Sequence, residues 1–360
     1  MKKFLTIILS LCAVLVFATW QYRLLCVLLV VLLNRQWLKE QAWMQKYSHS
    51  YKSLVIALIV LIFISIPNYW QRGRTQLHYL DDSAKRVSTP VWIYLTNVIA
   101  PEEEVMNICM KAVALMPNRL IEKNKLAMDA KKDFWRGRAL GFYRPYNRLS
   151  WQGSNPGSFT IAQTANMLVG TDYDAVYVTR PRGYDADKKY PLVVFCHGYM
   201  GSWELYQGIL SRLKNCVVIS IGTRKLDGLS FKVGEVFSKY MPYLESIGYQ
   251  IDDQQVHLIG LSNGGQAANS AWTSYDKQFK SITFLSTFMP KAKKSSAKVL
   301  LVGGGRDGSC GGIKNVAKQL KNRGTDAAYF YQEDENHYIF AYHSGDIIKF
   351  FNREMGLTEE

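Results

Sequence analysis

One serine stands in a setting that could do chemistry. The stretch Val256-His257-Leu258-Ile259-Gly260-Leu261-Ser262-Asn263-Gly264-Gly265-Gln266-Ala267-Ala268 passes from a short apolar run into small residues at helix-compatible spacing. A strand that turns sharply into a helix is the context a Gly-x-Ser-x-Gly nucleophile turn requires. Gly260 and Gly264 relieve crowding on either side of a serine held in a strained conformation, and Gly265 lets the helix pack close to the strand. The pattern predicts Ser262 at the strand tip, free to attack an electrophile. Glycine and serine are common enough that the pattern alone arises by chance in roughly one chain in ten of this length. Its partners must carry the case.

Three further segments supply them. The apolar strand expected at 191–196 runs into His197-Gly198-Tyr199-Met200-Gly201-Ser202. A glycine-bearing loop after such a strand offers backbone N–H donors to a developing oxyanion, with Tyr199 and Asn263 as the expected donors; an ordinary tight turn is the alternative for His197-Gly198. The strand expected at 299–302 ends in Gly303-Gly304-Gly305-Arg306-Asp307-Gly308, which places a carboxylate where a histidine-orienting acid belongs. An Asp-Gly turn is the plainer reading of it. One helix and one strand later, Asp334-Glu335-Asn336-His337-Tyr338 puts His337 in a loop as the expected base. Other candidates are weaker by position. His343 opens the last helix, where a surface or capping role is expected; His257 lies within a strand; Asp334 is too near His337 in sequence to reach its ring from across the loop.

The elements that must position these residues alternate in the second half of the chain. Strands at 175–179, 191–196, 217–221, 256–259, 282–285, 299–302 and 328–331 are interleaved with helices at 231–247, from 266, at 313–323 and at 344–354. A further strand is expected at 159–163. Continuous apolar strands of this type are buried on both faces of a parallel sheet, and the alternation predicts a doubly wound, mostly parallel α/β sheet over residues 151–360. Residues 71–150 read as a helical connector: Pro101-Glu102-Glu103-Glu104 looks like a helix start with acids at the positive dipole end, Val105, Cys109, Val113 and Leu115 are its expected apolar face, and a second helix is expected near 120–136.

Together, Tyr190-Pro191 through His197-Gly198, Gly260-Leu261-Ser262-Asn263-Gly264-Gly265, Asp307 and His337 resemble the α/β-hydrolase superfamily, whose serine, acid and base come in the order Ser, Asp, His. Arg182-Gly183-Tyr184-Asp185 before Lys188-Lys189-Tyr190-Pro191 resembles the lead-in of the esterase D, feruloyl-esterase and polyhydroxybutyrate-depolymerase-like branch, and Ser-Asn-Gly-Gly at the turn is similar to prolyl-oligopeptidase-type peptidases. The resemblance covers about 151–355 and implies a serine hydrolase acting on a small-molecule or acyl-ester substrate through an acyl-enzyme on Ser262, with no cofactor. A serine peptidase with the same residues, and an inactive hydrolase fold kept as a binding module, are the alternatives. The short connection 286–298 leaves no room for a large cap, so an open, shallow site is expected, with Tyr199, Trp203, Tyr206 and Phe288 either lining it or belonging to the core.

Composition bears on the rest. The chain has 360 residues and a formal charge of +15, but no nucleic-acid-binding motif accompanies the charge and no nucleic-acid partner is expected. The six cysteines form no CxxC or Cys/His cluster, which argues against a structural metal; Cys196 and Cys216 fall in core strands as buried thiols. Apolar runs at 4–20, 24–33 and 54–66, bounded by Trp, Tyr, Lys and Arg, predict a membrane anchor of two or three helices over residues 1–70, with the lipid bilayer as partner. Three spans place Lys2, Lys3, Arg35, Lys39, Lys46 and Lys52 on the cytoplasmic side and the catalytic part on the extracytoplasmic side. The expected whole is an α/β-hydrolase domain preceded by transmembrane helices and a helical connector.

Overall fold

The computed structural model describes residues 2–13, 20–41, 50–65, 74–87, 102–138, 173–198, 204–222 and 231–357. The chain divides into two compact units, one of residues 1–70 and 98–139, the other of 71–97 and 140–360.

The second unit is built on a nine-stranded sheet. Its strands are β1 (Thr75–Leu80), β2 (Arg86–Val87), β3 (Asp174–Thr179), β4 (Tyr190–Cys196), β5 (Val217–Gly222), β6 (Ile251–Leu261), β7 (Ser281–Leu285), β8 (Lys298–Gly304) and β9 (Ala327–Gln332). They lie in the order β2-β1-β3-β5-β4-β6-β7-β8-β9. From β5 to β9 every neighbouring pair is parallel, while β3 runs antiparallel to both β1 and β5. The strands from β4 to β8 are the Val, Ile and Leu runs of the sequence, and Leu192, Val194, Ile219, Leu258, Ile282 and Leu301 are fully buried, as parallel strands covered on both faces must be. Val217–Gly222 returns to one side of β4, whereas β6 and everything after it lie on the other side. The connections leaving β4 and β6 therefore diverge and open a crevice at their C-terminal ends, where open α/β sheets bind ligands.

Sequence and structure differ in places. Thr75–Leu80 lies in the stretch read as helical connector, yet it is a strand; its alternation was hidden because nearly every residue, including His78, is buried. The helix expected at 231–247 is a π-helical turn (Val236–Tyr240) followed by a short α-helix. The strand expected at 159–163 lies outside the described residues.

The first unit is helical: α1 (Lys2–Leu11), α2 (Trp20–Leu33), α3 (Arg35–Glu40), α4 (Ser50–Ser65), α5 (Glu102–Leu115), α6 (Asn118–Ile121) and α7 (Lys125–Trp135). Here the expectation of an integral membrane protein with an extracytoplasmic catalytic part must be corrected. Among the described residues no helix is long and apolar enough to cross a membrane, and the lipid-bilayer partner inferred from the same runs falls with it. The described parts of the apolar runs form helices of 10, 14 and 16 residues. At 1.5 Å of rise per residue the longest of these described helices spans about 24 Å, against a hydrocarbon core of about 30 Å. Instead α2 packs against both α1 and α4, burying Cys26 and Leu58, and Asn34 Nδ2 donates to Thr6 Oγ1 at 3.0 Å. Among the described side chains of α5, Asn107 and Ala114 are buried and Val113 is half-buried, while Leu115 and Cys109, expected on the apolar face, are exposed; Val105 lies outside them.

Candidate active site

Ser262 follows β6 directly. Its φ of +52° is a left-handed conformation that a residue with a Cβ rarely adopts. The turn survives because its surroundings are built for it. A Cβ on Gly264 would collide with the carbonyl oxygens of Cys196 and His197, and one on Gly260 would sit 2.9 Å from Ala268 Cβ. The close approach lets α10 (Gly265–Ser274) start on the turn itself; α8 (Glu204–Leu210) and α9 (Met241–Ser246) precede it in the chain. Thr287 Oγ1 donates to the Ser262 carbonyl oxygen at 2.7 Å, anchoring the strained residue from the loop after β7.

Gly264→Ala is expected to cost about 1–3 kcal/mol or more, because the obstructing atoms are backbone of a central strand and cannot yield. At about 2–4 °C per kcal/mol, the loss is readable in a thermal melt. Gly311→Ala, where an added Cβ meets nothing within 4 Å, is the matched control; equal melting temperatures for the two would refute the packing argument.

His337 lies in the loop between β9 and α12 (Ile339–Tyr342), and Asp307 follows β8 ahead of α11 (Ile313–Asn322). The two loops are stitched together: Gly305 N–H donates to Gln332 O and Arg306 N–H to Glu335 O, each at 2.8 Å. As a result the His337 ring reaches both neighbours. Its Nδ1 is 2.8 Å from Asp307 Oδ2 and its Nε2 is 3.0 Å from Ser262 Oγ. An Nδ1–H donating to the carboxylate leaves Nε2 to accept from the serine hydroxyl. The Asp307 side chain is 6 % exposed and the His337 side chain 16 %, so the acid is the more deeply buried of the two.

Burial works against the Asp307 charge, but the hydrogen bond and charge of His337, together with two donors from Ser309, outweigh it and hold the carboxyl down at about 2. Ser309 N–H and Oγ–H donate to Oδ1 at 3.1 and 2.7 Å, and the Cys310 thiol donates to Oδ2 at 3.3 Å. The Asp307-Gly308-Ser309 spacing, an Asx-type turn, was the available signal for Ser309. Nothing in the sequence signalled Cys310 or Thr287.

Gly198 lies against the same serine, for an added Cβ would come 3.0 Å from Ser262 Cβ. Asn263 lies within the short 3₁₀ turn Ser262–Gly264. Tyr199 and Trp203 lie outside the described residues. Tyr206 stacks between Phe195 and Phe340, and Phe288 meets Phe284 edge-on, so both are tied into core packing. The rejected candidates find other partners. His257 Nδ1 meets Ser281 Oγ at 2.8 Å, and burial with Lys280 nearby pushes its pKa down to about 4. His343, expected in a surface or capping role, is the residue before α13 (Ser344–Met355) and bonds Glu335 Oε1 at 2.9 Å, bracing the His337 loop against that helix. Asp334 is exposed.

A mixed sheet with β3 reversed, the crossover order β5-β4-β6, a serine in a positive-φ turn after β6, an acid after β8 and a histidine after β9 decide the architecture. The chain has the α/β-hydrolase fold.

No family model matches the sequence, and no curated protein does. Solved α/β-hydrolases superpose on about half of the chain. A ferulic acid esterase is 14% identical, with 52% of this chain and 93% of that one covered at a TM-score of 0.42. The ferulic acid esterase of the anaerobic fungus Anaeromyces mucronatus is 17% identical, with 50% and 84% covered at 0.39. The acylaminoacyl peptidase of Pyrococcus horikoshii is 16% identical, with 53% and 41% covered at 0.43; this α/β-hydrolase unit thus spans about two fifths of that peptidase.

Proposed function

We propose that the protein is a serine hydrolase that cleaves carboxylic esters through an acyl-enzyme on Ser262. The observation that carries this reading is the unbroken chain from Ser262 Oγ through the His337 ring to Asp307, at 3.0 and 2.8 Å, beside the strained backbone of Ser262. Ser262 Oγ attacks the acyl carbonyl as His337 Nε2 takes its proton, and the tetrahedral oxyanion is met by the N–H of Asn263 and of Tyr199. His337 then passes the proton to the departing alcohol. Water, deprotonated by the same nitrogen, attacks the acyl-serine and releases the acid. Asp307 keeps the Nδ1 proton in place and offsets the charge of the imidazolium. The chemistry needs no cofactor.

The choice of esters over peptides rests on the walls of the site. Residues 286–297, between β7 and β8, contain no helix, so that connection supplies no helical cap to shape a cleft for an extended peptide. Turnover of p-nitrophenyl acetate compared with that of alanine p-nitroanilide tests the choice. The ester is expected to be hydrolysed at least about 100-fold faster in kcat/KM, a difference of about 2.7 kcal/mol in transition-state stabilisation. Equal or faster amide cleavage would turn the assignment to a peptidase.

A further inference from the structure

Two strained serines leave the sheet side by side. Among the described residues, four positions other than glycine have a positive φ: Ala84, Asn215, Ser262 and Ser286. Ala84 lies in the β1–β2 hairpin and Asn215 in an exposed turn before β5. Ser286 differs from both, for it holds a φ of +45° while fully buried. In the parallel register of β6 and β7, Leu261 pairs with Leu285. Ser262 and Ser286 are therefore the first residues past the same level of two adjacent strands. Backbone strain of this kind persists only where the surrounding structure imposes it, and no step of the acyl transfer involves Ser286.

The corner at Ser286 brings Thr287 to the nucleophile. Ser286 N–H donates to Val302 O at 2.8 Å, which pins the corner to β8. One residue on, Thr287 is buried and its Oγ1 donates to Ser262 O at 2.7 Å. The same oxygen accepts from Gly265 N–H, so the Ser262 carbonyl is held both by its own turn and by the loop of the neighbouring strand. Gly265 also makes the room. A Cβ added there would come 2.1 Å from Thr287 Oγ1 and 2.7 Å from its Cγ2, so the space left by the missing side chain is filled by Thr287.

Thr287 is tied to the acid as well. Its carbonyl oxygen lies 3.7 Å from Cys310 Sγ, and the same thiol lies 3.3 Å from Asp307 Oδ2. Burial, and then the Asp307 charge, push the Cys310 pKa up to about 12, so the thiol keeps its proton for these acceptors. The contacts close on themselves. They run from Ser262 Oγ to His337, Asp307, Cys310 and Thr287, and back to Ser262 O.

We propose that Thr287 is a positioning residue for Ser262, its hydroxyl holding the carbonyl of the strained serine so that Oγ stays in line with His337 Nε2. The inference rests on the hydrolase reading. Without that hydrogen bond Ser262 is free to relax toward an ordinary φ. Such a change turns the Cα–Cβ bond about the N–Cα axis and carries Oγ with it, and a displacement of about 1 Å at a reacting atom costs about 100-fold in rate.

The test is the kinetics of covalent labelling by a fluorophosphonate, read as the maximal rate at saturating probe and the half-saturating concentration, with melting temperatures alongside. Thr287→Val exchanges the hydroxyl for a methyl of similar shape. It is expected to lower the maximal rate about 10-fold or more and to leave the half-saturating concentration within about twofold. Thr287→Ser keeps the hydroxyl and is expected to label close to the wild-type rate, whatever the loss of its methyl does to the melting temperature. A wild-type rate in folded Thr287→Val, or a Thr287→Ser as slow as Thr287→Val, overturns the assignment. A Thr287→Val chain that does not fold overturns it too, by making the role of the hydroxyl structural. Folded wild-type protein that takes no label at Ser262 sinks the hydrolase reading and the positioning role together, whereas a labelled wild type matched in rate by Thr287→Val sinks the positioning role alone.

Discussion

Ser262→Ala is expected to abolish covalent labelling by a fluorophosphonate and to lower ester turnover by about 10⁴-fold or more. The probe reacts only with a hydroxyl whose proton has a base to go to, forming an Oγ–P bond as fluoride leaves. Ser262 Oγ is 3.0 Å from His337 Nε2, on a residue whose backbone is held at a positive φ. Losing Oγ removes the bond-forming atom itself, so neither the oxyanion donors nor the histidine can compensate. The substitution deletes a single atom and does not touch the glycine contacts that build the turn, so the variant is expected to fold with an unchanged melting temperature. Labelling that persists in Ser262→Ala would assign the nucleophile elsewhere, and a folded wild-type protein that takes no label would favour an inactive hydrolase fold that serves as a binding module.

The second large effect belongs to Asp307→Asn, expected to cost about 10⁴-fold in kcat with little change in KM. The carboxylate accepts from His337 Nδ1–H at 2.8 Å, and that bond selects the tautomer in which Nε2 can receive the serine proton. An asparagine can present its NH2 to Nδ1 instead, which places the ring proton on Nε2 and leaves no base facing Ser262. The same substitution alters acid stability in a defined direction. The folded carboxyl is held at about 2, below its ordinary value of 3.8, so its contribution to stability is present above pH 3.8 and is lost as pH falls toward 2. The stability difference between wild type and Asp307→Asn should therefore shrink through that window in denaturant melts. A variant with near wild-type kcat would remove Asp307 from the mechanism, whatever its hydrogen bond to His337.

Much of this was legible in the sequence because each relevant segment is local. The apolar runs that became β4 to β8 needed no partner to announce themselves, since a strand buried on both faces consists of little but Val, Ile and Leu. Thr75–Leu80 was missed because Gln76 and His78 break that pattern, and only pairing with β3 shows them to be in a sheet. The three apolar helices misled for the converse reason. Hydropathy records how much a segment avoids water, and it is the same for a helix packed on its neighbours as for one in lipid.

The sequence by itself determined the strand-turn-helix around Ser262, the order of serine, acid and histidine, and the alternation that makes the sheet, because these depend on residue type and spacing along one stretch of chain. The tertiary structure alone decided that Asp307 and His337, 30 residues apart, meet at 2.8 Å, that the same histidine lies 3.0 Å from Ser262 Oγ, 75 residues away, and that Thr287 anchors the Ser262 carbonyl oxygen at 2.7 Å. Each is a contact between segments whose distance in space is set by strand order and register, and neither quantity is written in any single segment.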